Sequence, residues 1–193
     1  MNILIDVNHP AQVHYFRNLY RELSGEHKVF FSSKEVPIID GLFRAYEIPY
    51  YSYGKKKDSM VQKAISQVRY NVECLRLQRK LNIDIALGSS ASNVHAALFT
   101  QAISIATTDS DLAVLPFAAK FVYPFADYLM TPETLAFQKH KKQICYPGYQ
   151  ELAYLHPNRF TPDPEVLSLC GLKEGEPYFV LRFTAFKAHH DIG

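Results

Sequence analysis

Seven short apolar runs recur along the chain, and a longer stretch separates most of them from the next. NILIDV (2–7), KVFFSS (28–33), IPYYS (48–52), IDIALG (83–88), AISIAT (102–107), DYLMT (127–131) and QICYP (143–147) read as strands. Residues 11–24, 35–46, 59–81, 90–101, 112–125 and 133–141 read as helices. A helix that follows a strand carries the chain back across the sheet, so the next strand runs in the same direction. The expected fold class is therefore α/β, with a Rossmann-like, mostly parallel sheet formed by residues 1–155.

The pattern changes after Tyr146. Residues 156–177 hold Pro157, Pro162, Pro164 and Pro177, and only Glu165 to Leu172 could form a short helix. This reads as a linker. YFVLRF (178–183) is strand-like again; a lone strand cannot bury both faces, so it either joins the first sheet at an edge or, as the favoured expectation, residues 178–193 open a second domain.

Composition excludes several classes. Of 193 residues, 48% are hydrophobic and 21% charged, as in ordinary globular proteins. Cys74, Cys145 and Cys170 are odd in number and form no CxxC, which argues against a disulfide framework and fits a reducing cytosol. The strand-like start has no basic region and apolar core of a signal peptide, and nothing approaches the roughly 20 apolar residues of a membrane-spanning helix. A cytoplasmic, at most membrane-peripheral, location is expected.

The first loop, NHPAQVHYF (8–16), lies where open α/β sheets bind ligands, past the carboxyl end of a strand. It lacks the GxGxxG that lets bare backbone approach a pyrophosphate, so a tightly held dinucleotide is not expected. On a helical wheel Val13, Phe16, Leu19, Tyr20 and Leu23 make the core stripe, and His14 lies about 150° from its centre. The helix N-terminus disfavours imidazolium, and a neutral imidazole at a cleft suits general-base work. His14 is thus read either as the catalytic residue or as a solvated one. His9, before Pro10, is an extended loop residue, either a cap or a substrate contact.

NILIDVNHPAQVHYFRNL, YPGYQELAYLHPNRFTPDPEVL and PYFVLRFTAFKAHHDIG, in this order, resemble stretches of domain-of-unknown-function family 354. That family is similar to glycosyltransferases of the GT-B fold, such as the peptidoglycan GlcNAc transferase, and to the UDP-N-acetylglucosamine 2-epimerases. The resemblance implies that residues 1–155 are the N-terminal, acceptor-side half, and that a C-terminal half would hold a nucleotide-sugar donor. It implies a histidine near the start of the first helix facing the cleft, and His14 is the matching position. It implies no cofactor and no metal bridging the diphosphate. The family loop Asp-Thr-Glu-His-Ala is here Asp109-Ser110-Asp111-Leu112-Ala113, so the histidine is lost. The family tryptophan near the C-terminus is Phe186, while His190-Asp191-Ile192-Gly193 keep the pattern. His190 and Asp191 are therefore carried as substrate-binding candidates.

Asp109 and Asp111 precede an apolar helix, and either Asp109 caps it or the pair contacts sugar hydroxyls or a cation. Ser89 and Ser90 open the next helix after IDIALG, as caps or as a hydroxyl or anion site. His95 is expected at the surface. Pro147-Gly148 reads as a tight turn that would bring Tyr149 and Glu151 toward a cleft. Residues 55–80 carry eight Lys or Arg against Asp58 and Glu73. Val61, Ile65, Val68, Val72 and Leu75 are expected to form the buried stripe, with the charges solvated or facing anionic lipid headgroups or a phosphorylated acceptor. No nucleic-acid recognition motif accompanies the charges.

The leading expectation is a GT-B-type transferase that moves a sugar from a nucleotide-sugar donor to a glycan or lipid-linked acceptor. Three alternatives remain: a nucleotide-sugar epimerase of the same fold, a metal-dependent hydrolase using Asp6, His9, His14 and Asp109 or Asp111, and a non-catalytic binding protein.

Overall fold

A computed structural model describes residues 1–55, 60–138, 142–181 and 183. Its elements run β1 (Asn2–Val7), α1 (Pro10–Leu23), β2 (Lys28–Glu35), α2 (Pro37–Ala45), β3 (Tyr50–Lys55), α3 (Met60–Lys80), β4 (Ile85–Gly88) and α4 (Ala91–Ala97). They continue with β5 (Ile103–Thr107), α5 (Pro116–Phe121), β6 (Tyr128–Pro132), β7 (Gln143–Tyr146), α6 (Leu152–Leu155) and α7 (Glu165–Leu169). The strands form one seven-stranded parallel sheet in the order β3-β2-β1-β4-β5-β6-β7. Chain order reverses between β1 and β4, which creates a switch point with a crevice at the carboxyl ends of these two strands.

Helices cover both faces of the inner strands, so β1 reads as a continuous apolar run. On one face Ile3, Ile5 and Val7 pack with Phe31 of β2, Val13 and Phe16 of α1, and Ile39 and Phe43 of α2. On the other, Leu4 packs with Tyr70, Cys74 and Leu77 of α3 and Ala96 and Ala97 of α4. A third cluster joins Val94, Ala106 and Leu129 to Val122, Tyr123 and Ala126.

Three expected elements need correction. Most of the expected stripe of α3 faces outward, since Ile65 is 66% and Val68 64% exposed and Val72 is exposed too, while Leu75 is half-buried against the core. The inward row is Tyr70, Cys74, Leu77 and Gln78. Gln78 can be buried because Nε2 donates to Asn93 Oδ1 at 2.9 Å and to the Asn93 carbonyl at 3.0 Å, while Oε1 accepts from Thr100. A satisfied amide replaces an aliphatic side chain there, which a wheel of hydrophobicity misses. The Val61 side chain lies outside those described. The helix expected at 112–125 begins at Pro116, because proline disfavours helix at the preceding residue, and a 3₁₀ turn follows at Tyr123–Phe125. The segment expected as a helix at 133–141 is 3₁₀ over Glu133–Gln138, and 139–141 lie outside the described residues. Tyr178 to Leu181 and Phe183 are exposed and belong to none of the seven strands.

Gly88 sets the spacing at the switch point. Its φ is +139°, and a Cβ built there would stand 2.4 Å from the Asp6 carbonyl oxygen. Both the backbone conformation and the contact exclude larger residues. Gly88→Ala is expected to destabilise the fold by about 3 kcal/mol or more in urea unfolding. A variant as stable as the parent would show that β1 and β4 can part without loss.

Candidate functional site

The loop after β1 is held by side chains. His9 is the N-cap of α1, with Nδ1 accepting from the Ala11 amide at 3.3 Å. Gln12 Oε1 accepts from the amides of Asn8 at 2.8 Å and His9 at 3.3 Å, which closes a capping box. The Gln12 amide nitrogen also donates to Ser89 Oγ in the loop after β4. The two loops of the switch point are thus tied together, with Pro10 setting the first helical φ. Ser90 is buried and caps α4, its Oγ accepting from the Ser92 amide at 3.1 Å, so it is not open to a ligand.

Beneath these loops Asp6 is buried and accepts from Ser32 Oγ at 2.6 Å. Burial pushes its carboxyl above the usual range, against the opposing pull of Ser32, Ser90, Lys34 and Tyr53.

His14 is half-buried in α1. Nδ1 lies 2.7 Å from the Tyr46 hydroxyl, and the ring stands 5.6 Å from those of both Tyr46 and Tyr154. Burial, and then the Arg17 charge, hold its pKa below the usual imidazole value, so the ring is neutral at neutral pH. The expected position off the core stripe is seen, but the ring is wedged among tyrosines rather than free in solvent. Sequence reasoning passed over Tyr46 because it sits at the end of α2, 32 residues away, where only the fold brings it to α1.

Asp109 is exposed after β5, and its charge reaches four tyrosines. Burial first, and Asp109 in addition, raise the pKa values of Tyr15, Tyr123 and Tyr146, and Glu151 joins them at Tyr154. The Tyr146 hydroxyl is buried without a well-aligned hydrogen bond, although Tyr15 and Gln150 are near enough to affect it. The carboxyl edge therefore presents the His14 imidazole, the exposed Asp109 carboxylate and a set of phenols. Tyr15, Tyr123, Tyr146 and Tyr154 carried no motif that could single them out.

Asp109 does not cap α5. Asp111 instead accepts from the Ala113 amide at 2.8 Å, closing a local turn ahead of Pro116. His95 is half-buried, with Nε2 2.7 Å from the Phe121 carbonyl and its ring edge-on to Phe125. Gly148 has φ +103°, as the expected turn requires, and leads to exposed Tyr149 and Glu151 at the start of α6. That segment returns to α1, where Asn18 Nδ2 donates to the Ala153 carbonyl at 2.7 Å and Arg159 pairs with Glu22. A groove of about 660 Å³ lies between them, floored by Phe16, Leu87 and Met130 and rimmed by Tyr15, Leu152 and His156. His190 and Asp191 lie outside the described residues.

The residues of the metal-hydrolase alternative are not brought together. Asp6 is turned to Ser32, His9 to the cap and His14 to Tyr46. Among the described residues no group of three His, Cys, Asp or Glu could hold a metal ion. None of their helices is long and apolar enough to cross a membrane.

No protein-family model matches the chain, and no curated protein sequence does. Solved structures do. UDP-GlcNAc 2-epimerase from Neisseria meningitidis, bound to UDP-GlcNAc, superposes with a TM-score of 0.63 at 13% identity over 89% of this chain and 52% of that one. The enzyme of the same name from Methanocaldococcus jannaschii gives 0.63 at 13% over 80% and 48%. MurG from Acinetobacter baumannii gives 0.58 at 11% over 77% and 45%. The chain has the fold of half a GT-B enzyme. It spans about half the length of these relatives, at identities that speak for the fold alone.

The buried Asp6 gives a pH signature. A carboxyl whose pKa is raised on folding adds stability below its unfolded value near 3.8, and that contribution is lost as pH rises through the folded value. Asp6→Asn keeps the shape and removes the buried charge. It is expected to match or exceed the parent in urea unfolding at pH 7.5, with the difference moving against the variant as pH falls toward 4. A variant weaker at neutral pH than at acid pH, relative to the parent, would overturn the assignment.

Proposed function

We propose that the chain is the acceptor-side half of a GT-B-type sugar transferase, which moves a sugar from a nucleotide-sugar donor to a glycan or lipid-linked acceptor. The membership in family 354 suggested by the motifs is part of this reading. The observation that carries it is His14, neutral and fixed by aromatic neighbours at the carboxyl edge of the switch point. In this reading His14 meets the acceptor hydroxyl, as proton acceptor or as orienting group. Asp109, Asp111, Ser89, Tyr149 and Glu151 line the approach, and the donor is held mainly by a second half that would include His190 and Asp191. An epimerase acting on a nucleotide sugar is the second reading, supported by the superposition on an epimerase bound to UDP-GlcNAc.

A lipid-linked acceptor would be met at a membrane surface. Exposed Ile65, Val68 and Val72 on α3, with Arg69 and Arg76 exposed beside them, offer an apolar and cationic contact. Vesicles containing phosphatidylglycerol should sediment the chain at low salt, and Ile65→Asp with Val68→Asp should leave it in the supernatant. Equal sedimentation of both would remove α3 from this role.

Two measurements test the main reading. Calorimetric titration of this chain with UDP-, GDP- and CMP-sugars is expected to give weak binding or none, and micromolar affinity would reverse the assignment of halves. His14→Ala, in a polypeptide that also carries the donor half, is expected to lower turnover by about 100-fold or more, the usual loss of a positioned base or donor. Unchanged turnover in a folded variant would sink the role of His14.

A further inference from the structure

An imidazole has two nitrogens, and the hydrogen bond made by one decides what the other can do. In His14 the first is spoken for, because Nδ1 lies 2.7 Å from the Tyr46 hydroxyl oxygen. If His14 donates through Nδ1–H, Nε2 keeps a lone pair and can take a proton. If Tyr46 donates, Nε2 carries the hydrogen and can only give a hydrogen bond.

The surroundings select the second arrangement. A phenol oxygen shares its electrons with the ring, so it gives a hydrogen bond more readily than it receives one, whereas an sp² imidazole nitrogen is a strong acceptor. The Arg17 guanidinium lies 4.7 Å from the Tyr46 ring centroid, over its face, and a cation there draws density from the phenol and sharpens its donor character. The Nε of Arg17 is itself buried without a hydrogen-bond partner among the described residues, so the aromatic face is a principal neighbour of this cation. The two rings meet edge-on at 74° with the hydroxyl oxygen 2.7 Å from Nδ1, a geometry that permits this bond.

We propose that Tyr46 donates to Nδ1 and holds His14 as the neutral Nε2–H tautomer, which makes Tyr46 the positioning residue of the site. Given the reading above, in which His14 faces a ligand, its free edge is a hydrogen-bond donor suited to an anionic or carbonyl oxygen. The proton of an acceptor hydroxyl is then not taken up at Nε2. Tyr154, packed on the imidazole at 5.6 Å, restrains the ring plane and helps exclude the water that would compete for that edge.

Two-bond ¹H–¹⁵N correlation on the ¹⁵N-histidine-labelled chain at neutral pH tests this without any ligand, with His14→Gln assigning the resonances. The expected spectrum has an unprotonated, acceptor-type Nδ1 and a protonated Nε2 in His14. Tyr46→Phe keeps the ring beneath Arg17 and removes only the hydroxyl, and should shift both nitrogens toward a mixture of tautomers. A protonated Nδ1 in the parent, or an unchanged tautomer in a folded Tyr46→Phe, would overturn the proposal. Should Tyr46→Phe fail to fold, the parent spectrum decides alone. Because the readout is a protonation state and not turnover, loss of the transferase reading leaves it standing. Loss of the tautomer would return His14 to the role of base within that reading.

Discussion

The close approach of β1 and β4 governs the rest of the molecule. Gly88 has room only for hydrogen where a Cβ would meet the Asp6 carbonyl at 2.4 Å. Side by side at this spacing, β1 and β4 bring Asp6 and Ser90 into one buried polar cluster, which Ser32 joins from β2, and the loops above them come within reach of each other. The bond from Gln12 to Ser89 follows from that proximity. A wider gap would open the polar cluster to water and release the first turn of α1, on which the orientation of His14 depends.

The absence of glycine from the first loop then has a physical meaning. In a dinucleotide site the first helical turn leaves its amides free, and bare backbone lets a pyrophosphate approach them. Here His9 and Gln12 use their own side chains on the loop and first-turn amides. A phosphate would have to displace a formed capping box. The same sequence that closes this edge to phosphate stiffens it, and stiffness is what a fixed imidazole one turn later needs.

The seven strand segments and their parallel direction were legible because each apolar run is short and each return segment long, and a parallel sheet requires that rhythm. His14 was legible as off the core stripe, because a periodicity of 3.6 is a local property. Its partners were not, since Tyr46 follows the end of α2 and Tyr154 lies on α6, and no spacing in the chain encodes the meeting of these segments with α1. The inward face of α3 was misread for a related reason. Hydrophobicity orders side chains by transfer from water, but Gln78 is buried at little cost once Asn93 and Thr100 satisfy its amide. Asp109 and Asp111 show the limit of motif reading: both are acidic residues ahead of a helix, yet Pro116 moves the helix start beyond the reach of either.

The segment that follows the last strand, expected to bring Tyr149 and Glu151 toward a cleft, also carries Tyr154 onto His14. From Gly148 onward the chain turns back, and Asn18 and Glu22 of α1 fasten it at Ala153 and Arg159. Those two positions on α1 lie one and two turns beyond His14, on a neighbouring side of the helix. Fastening there brings Tyr154 onto the imidazole, and Tyr154 supplies part of the burial that holds His14 neutral. The environment of His14 thus depends on how the segment lies on α1. Any rearrangement that lifts residues 152–159 from α1 also removes Tyr154 from the ring, exposes it to water and weakens the desolvation that favours its uncharged form. The character of the edge is in this way tied to the connection leading out of the sheet, through two hydrogen-bonding side chains on the helix they share.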